Sequence, residues 1–322
     1  MTRAMDKPAL RSDDDGAAGN QTRATIAVVG LGSIGGVIAG ALRAAERHDV
    51  IACVQKPVAH LVVDWPDQTV DVKLRALTDP AAASPVDWVL LCTKAHQTSS
   101  SAPWLARLCV NGTRVAVLQN GIDHVARVAP LVNDATVVPV LVYYNGERLA
   151  ADHVRFRRAS SNDLVLHDDA DGRAFAALVA GTPLRVQLSA DFATLAWQKL
   201  LLNAAANPVT ALTLQRQSVL RREDVQALCR AVLDEAAAVA RADGAQLAPD
   251  ETARTMALLL TFPPDAGTSM YFDRLAGRPL EAEALTGAIV AAGARHRIAT
   301  PLNTALLTLL RAVSDAAQNA PK

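Results

Sequence analysis

Gly30-Leu31-Gly32-Ser33-Ile34-Gly35 follows directly on a short β-branched run, Thr25-Ile26-Ala27-Val28-Val29, and opens an Ala- and Ile-rich stretch from Ser33 to Glu46 with helical periodicity. A G-x-G-x-x-G turn between a strand and a helix constrains a chain strongly, because each glycine has a separate geometric task. The first permits the tight turn, the second lets a pyrophosphate approach the backbone, and the third lets helix and strand pack closely. The helix N-terminus then offers unpaired N–H groups to the phosphate charge. Six residues alone would also fit a ligand-free turn; the flanking strand and helix favour a dinucleotide site.

The turn predicts an open α/β sheet, and the following residues continue it. Asp49 to Val54, Val70 to Leu74, Trp88 to Thr93 and Arg114 to Leu118 read as further strands, with a helix from Ala102 to Cys109 between the last two. Continuous apolar runs separated by helices indicate parallel strands covered on both faces. Thr136 to Tyr143 extends the β pattern, and Val154 to Phe156, Leu164 to His167 and Leu184 to Gln187 are shorter strand candidates. From Asp191 onward Ala- and Leu-rich helical periodicity takes over. Glu223 to Asp243 ends at Gly244, Pro249-Asp250 opens another helix, and Thr300-Pro301 supplies an N-cap with proline at the first helical position. A loop from Thr261 to Ala266 leads into a short helix ending at Gly277. The expected organisation is a polar tail over residues 1–22, a Rossmann-type doubly wound sheet over 23–190, and an all-α domain over 191–318.

Size and charge narrow the partners. With 322 residues, 51% of them hydrophobic, the chain suffices for two buried cores. Thirty-two basic residues balance 32 acidic ones, which argues against a nucleic-acid or membrane-surface protein and for small-molecule partners. Cys53, Cys92, Cys109 and Cys229 lack metal-ligand spacing and are expected as free thiols. The first 22 residues lack the apolar core of a secretory signal, and no 18-residue apolar run occurs, so the expected location is cytoplasmic. A homodimer is compatible with the Ala-rich helical half.

The second strand ends in Gln55-Lys56, where an NAD-binding fold of this type carries an acid for the ribose hydroxyls. A neutral amide followed by a cation accommodates a 2′-phosphate, so NADP is expected over NAD, although Lys56 also fits a plain surface lysine. Ligands of such sheets bind beyond the carboxyl ends of the strands. Lys94 and Asn120 stand there, after Thr93 and within Gln119-Asn120-Gly121 respectively, and both should face the nicotinamide half.

In the helical half, Lys199, Asn203 and Asn207 recur every four residues in an otherwise apolar stretch, spanning roughly 12 Å along one helix face. Such groups are costly in an apolar wall unless partnered; the alternatives are a pocket wall, or a lysine reaching solvent beside two backbone-bonded amides. Pro208 removes an N–H that would bond the carbonyl of Ala204, so the helix is expected to kink or end beside Asn207.

Taken with Thr93-Lys94-Ala95, Gln119-Asn120-Gly121, Trp197-Gln198-Lys199, Thr268-Ser269-Met270 and Gly277-Arg278-Pro279-Leu280-Glu281, these features resemble the ketopantoate reductase family over roughly residues 25 to 310. The resemblance implies NADPH-dependent reduction of 2-dehydropantoate to pantoate, a step toward coenzyme A. It implies Lys199 as general acid, Asn203, Asn207 and Ser269 as substrate-binding residues, Glu281 as an acidic site residue for catalysis or cofactor contact, and Lys94 and Asn120 as cofactor contacts. The chemistry agrees, since hydride attack on a ketone builds negative charge that an ammonium stabilises and protonates. The sequence leaves open whether Glu281 orients Lys199 or touches the nicotinamide ribose. One departure stands out: Gln217-Ser218 replaces an Asn-Gly pair common in relatives, so Gln217 is the expected substrate amide. A related reductase of another small 2-oxo acid, or a non-catalytic NADP(H)-binding sensor, are the alternatives; a protonatable Lys199 disfavours the sensor.

Overall fold

The structure, a computed structural model, describes residues 23–319, and the polar stretch 1–22 lies outside the described residues. β1 (Thr25–Val29), α1 (Ser33–Ala44) and β2 (Asp49–Cys53) open the chain in the expected strand–turn–helix order. β3 (His60–Asp64), β4 (Thr69–Lys73), β5 (Arg75–Leu77) and β6 (Trp88–Leu91) follow. Then come α2 (Ala102–Leu108), β7 (Arg114–Val117), α3 (His124–Val128), β8 (Thr136–Pro139) and β9 (Leu141–Val142). β10 (Asn145–Arg148), β11 (His153–Arg157), β12 (Leu164–His167), α4 (Ala170–Val179) and β13 (Val186–Ser189) complete the sheet-forming half.

The main sheet has six parallel strands in the order β5-β2-β1-β6-β7-β8. Its alternation divides two cores: Ile26, Val28, Leu90 and Ala116 face one layer, while Ala27, Val29, Val89, Leu91, Val115 and Val117 face the other. Two expectations need correction. The Val70–Leu74 run does not join this sheet; as β4 it pairs antiparallel with β3, which the sequence reading overlooked, in a separate sheet ordered β10-β11-β3-β4. The reason lies in its Thr-Val-Asp-Val-Lys alternation, the pattern of a half-exposed antiparallel strand rather than one covered on both faces. The Thr136–Tyr143 run also divides between sheets: β8 closes the main sheet, whereas β9 pairs antiparallel with β12 in a third sheet ordered β13-β12-β9.

Among the described residues no strand follows β13. α5 (Phe192–Thr213) begins three residues later, with the Asp191 carboxylate accepting from the N–H of Thr194. α6 (Glu223–Ala242), α7 (Glu251–Thr261), α8 (Ser269–Leu275), α9 (Ala288–His296) and α10 (Pro301–Asn319) complete an all-helical half. A π-helical turn, Glu283–Gly287, precedes α9. Trp197, Leu200, Leu201, Ala204 and Ala205 of α5 pack into one core with Leu233 and Ala236 of α6 and Ile289 of α9. α5 does not end at Pro208: it continues to Thr213 and stops at Leu214, which takes left-handed φ. Ala206 through Ala211 are all buried, so packing outweighs the roughly 3 kcal/mol that proline costs a helix interior. No helix of the described residues is long and apolar enough to cross a membrane.

Candidate active site

The glycine turn leaves β1 at Gly30, whose φ of +94° suits glycine and whose N–H donates to the carbonyl of Cys53 on β2 (3.1 Å). A Cβ on Gly35 would collide with the carbonyl oxygen of Gly30, so helix and turn meet there without room for a side chain. Around Gly32, the N-cap of α1, a Cβ would meet nothing within 4 Å, and no side chain caps the helix. The N-terminus of α1 is therefore uncapped beside open space at Gly32, and this cradle fits a dinucleotide pyrophosphate. Gln55 and Lys56 are exposed just beyond β2.

Lys94 and Asn120 emerge from adjacent strand ends that Gln119 ties together. Its buried amide donates to the Thr93 carbonyl (3.0 Å) and hydroxyl (3.1 Å), and accepts from Thr98 Oγ1 (3.1 Å) and Arg127 Nε (3.3 Å). Beyond this tie, residues distant in sequence converge. Lys199 Nζ donates to Asn120 Oδ1 (3.1 Å), and Asn120 Nδ2 donates to Glu281 Oε2 (3.0 Å). Glu281 also accepts from Lys94 Nζ (3.3 Å) and, at Oε1, from the Ala95 N–H (2.9 Å). Lys94 bonds Asp273 Oδ2 as well, at 2.8 Å. The main sheet thus supplies Lys94 and Asn120, and the helical half supplies Lys199, Asp273 and Glu281. A second seam runs alongside, where a Cβ on Gly121 (φ +102°) would press within 2.7 Å of the Ala284 carbonyl oxygen.

Burial and charge set the protonation states. Burial drives the Lys199 ammonium down to about 8, opposed by the Glu281 charge. Burial also opposes ionisation of Glu281, yet Lys94, the Ala95 N–H and the Asn120 amide outweigh it and hold the carboxyl below its ordinary value. Lys94 is held above the ordinary lysine value because Glu281 and Asp273 together outweigh its desolvation. Lys199 is consequently the group poised to exchange a proton near neutral pH, and Lys94 is a fixed cation. The Tyr143 ring lies 6.0 Å from Lys199 Nζ.

Farther along α5, Asn207 Nδ2 donates to Asn203 Oδ1 (3.4 Å), so the two amides share a wall with Lys199 one turn away. Ser269 is exposed at the first position of α8, and its neighbour Thr268 shares a 2.7 Å hydroxyl contact with Thr210 of α5. Gln217 lies on a short 3-10 turn whose backbone bonds the Ala266 carbonyl, and its buried Oε1 has no hydrogen-bond partner. Asp273, Arg278 and Tyr143 were not expected from the sequence. Asp273 belongs to no local motif, and only the fold brings it to Lys94, 179 positions away.

The open glycine cradle, the strand-end polar groups and a poised ammonium on the facing helix define a pyridine-nucleotide-dependent oxidoreductase. Two family descriptions match the chain: ketopantoate reductase PanE/ApbA over residues 26–167, and its C-terminal counterpart over 191–314. The 2-dehydropantoate 2-reductase of Caulobacter vibrioides is 37% identical, covering 90% of this chain and 99% of its own. That of Mycobacterium tuberculosis is 39% identical, covering 90% and 98%. A dimeric ketopantoate reductase from Staphylococcus aureus superposes with a TM-score of 0.81 at 26% identity, covering 91% and 99%. The chain belongs to the ketopantoate reductase family.

Proposed function

We propose that this chain reduces the C2 ketone of 2-dehydropantoate to the alcohol of pantoate with NADPH, within residues 23–190 for the nucleotide and 191–318 for the acid. The observation that carries the reading is the Lys199 ammonium, with a pKa of about 8, held on Asn120 at the seam between the two halves. A bound reduced nicotinamide would supply the hydride that the carbonyl carbon accepts. Lys199 stabilises the charge that builds on the carbonyl oxygen and donates its proton there, then recovers one from solvent. Asn120, fixed by Glu281, holds the ammonium in place. Asn203, Asn207 and Ser269 offer amide and hydroxyl groups to the carboxylate and the terminal hydroxyl. The orphaned Gln217 Oε1 is an acceptor for that same hydroxyl. Gln55 and Lys56 beyond β2 support the choice of NADPH, because no acid stands there to repel a 2′-phosphate.

Gln217 also favours a second reading, reduction of another small 2-oxo acid, since its longer amide reshapes the far wall. Competition of 2-dehydropantoate, pyruvate and 2-oxoglutarate for the purified enzyme with NADPH separates the two. Pyruvate lacks the hydroxyl and leaves a buried amide unpaired at about 1–3 kcal/mol, so 2-dehydropantoate should lead it by roughly tenfold or more in kcat/KM. A preference for either of the other acids removes the pantoate assignment.

A further inference from the structure

Asp273 and Arg278 take no part in the chemistry just described, yet they form one end of a continuous polar chain that ends at Lys199. Asp273 is 4% exposed, and its carboxylate lies between two cations: Lys94 Nζ at 2.8 Å and Arg278 Nε at 2.9 Å. The Arg278 backbone N–H also bonds the Asp273 carbonyl (2.8 Å), which fixes the turn after α8 beneath the carboxylate. Lys94 lies closer to Asp273 than to Glu281, at 2.8 against 3.3 Å. Glu281 Oε2, only partly engaged by Lys94, is left to hold Asn120 Nδ2 at 3.0 Å, and that bond turns Asn120 Oδ1 toward Lys199.

We infer that Asp273 is a positioning residue for the proton donor: by drawing Lys94 away from Glu281, it keeps the Glu281 charge directed through Asn120 onto Lys199, and Arg278 sets how strongly it draws. The inference deepens the proposed reaction and rests on Lys199 as its acid. Physically, Lys94 is one cation shared between two buried carboxylates, so weakening either claim on it strengthens its neutralisation of the other. Losing Asp273 leaves Lys94 wholly to Glu281 and deprives Lys199 of supporting negative charge. Losing Arg278 strengthens the hold of Asp273 on Lys94 and frees Glu281.

The two histidines and the tyrosine beside this cluster are shifted away from pH 8. His124, which feels Lys199, is driven down to about 4 by burial and by Arg127, which is paired with Asp123. Burial lowers His96 beside Lys94, and burial raises Tyr143 to about 12. A titration near 8 therefore reports Lys199.

The chain has only six lysines, Lys7, Lys56, Lys73, Lys94, Lys199 and Lys322, so lysine side-chain NMR of the full protein can follow Lys199 directly, assigned by its loss in Lys199→Arg. Asp273→Asn should lower the Lys199 midpoint by roughly half a pH unit or more, and Arg278→Gln should raise it. The alkaline fall of kcat/KM should move in the same two directions, with Asp273→Glu restoring the Asp273→Asn change at least in part. Arg278 has a side chain 58% exposed, so its variant carries the test even if Asp273→Asn fails to fold. Midpoints that stay put, or that move the same way in both variants, overturn the inference and leave a purely structural ion pair. Because the NMR midpoint needs no turnover, a protein inactive on 2-dehydropantoate would sink the proposed reaction without deciding this one.

Discussion

The two walls of the seam between the halves are made of different material. The wall proposed for the nucleotide is backbone: a left-handed Gly30, an uncapped α1 and an open space at Gly32. The facing wall is side chain: Lys199, Asn203 and Asn207 on α5, completed by Asp273 within α8 and Glu281 beyond it. A backbone wall recognises phosphate with peptide groups that any sequence supplies, provided glycine keeps side chains out. A side-chain wall must be assembled from distant residues, and each polar group in it needs a partner when buried. The first should fail through shape and the second through charge.

The largest expected effect tests that division. Lys199→Ala should lower kcat by roughly a hundredfold or more while NADPH affinity, titrated by fluorescence, stays close to that of the parent. Near-normal turnover would make Lys199 structural and dissolve the contrast between the walls. The next effect concerns pH. With Lys199 at about 8 and needed protonated, kcat/KM for reduction should be flat below that pH and fall tenfold per unit well above it. In the oxidative direction, where the neutral amine accepts the proton, the profile should rise through the same region; parallel profiles would mean that another group titrates. The smallest effect sharpens the nucleotide wall: Lys56→Glu should move the ratio of kcat/KM for NADPH over NADH toward NADH by about an order of magnitude, through one exposed charge. An unchanged ratio would assign the 2′-phosphate to other groups.

The division also explains what the sequence disclosed. The glycine turn and the Lys199 stripe were legible because their meaning is local: six residues in one turn, and a four-residue period on one helix. β3 and the sheet it forms were overlooked because β3 lies antiparallel to β4 but parallel to β11, a strand some 90 residues on, and no local signal announces such pairing. The helix end that Pro208 allowed for is absent for a related reason: the cost of proline is local, whereas the packing of Ala206 through Ala211 that carries the helix past it is tertiary. Asp273 was invisible for the same cause, since an aspartate in a short helix carries no mark of the lysine it will meet.

The junction between Ser189 and Phe192 sets the direction in which α5 leaves the sheet-forming half. Lys199 lies about 12 Å along the helix from Asp191 and Asn207 about 24 Å, at 1.5 Å per residue. One degree of difference in that direction displaces the ammonium by about 0.2 Å and the far amide by about 0.4 Å. In the proposed reaction the proton donor is therefore on the short arm, where an error in direction is felt least, and the amide offered to the rest of the acid is on the long one.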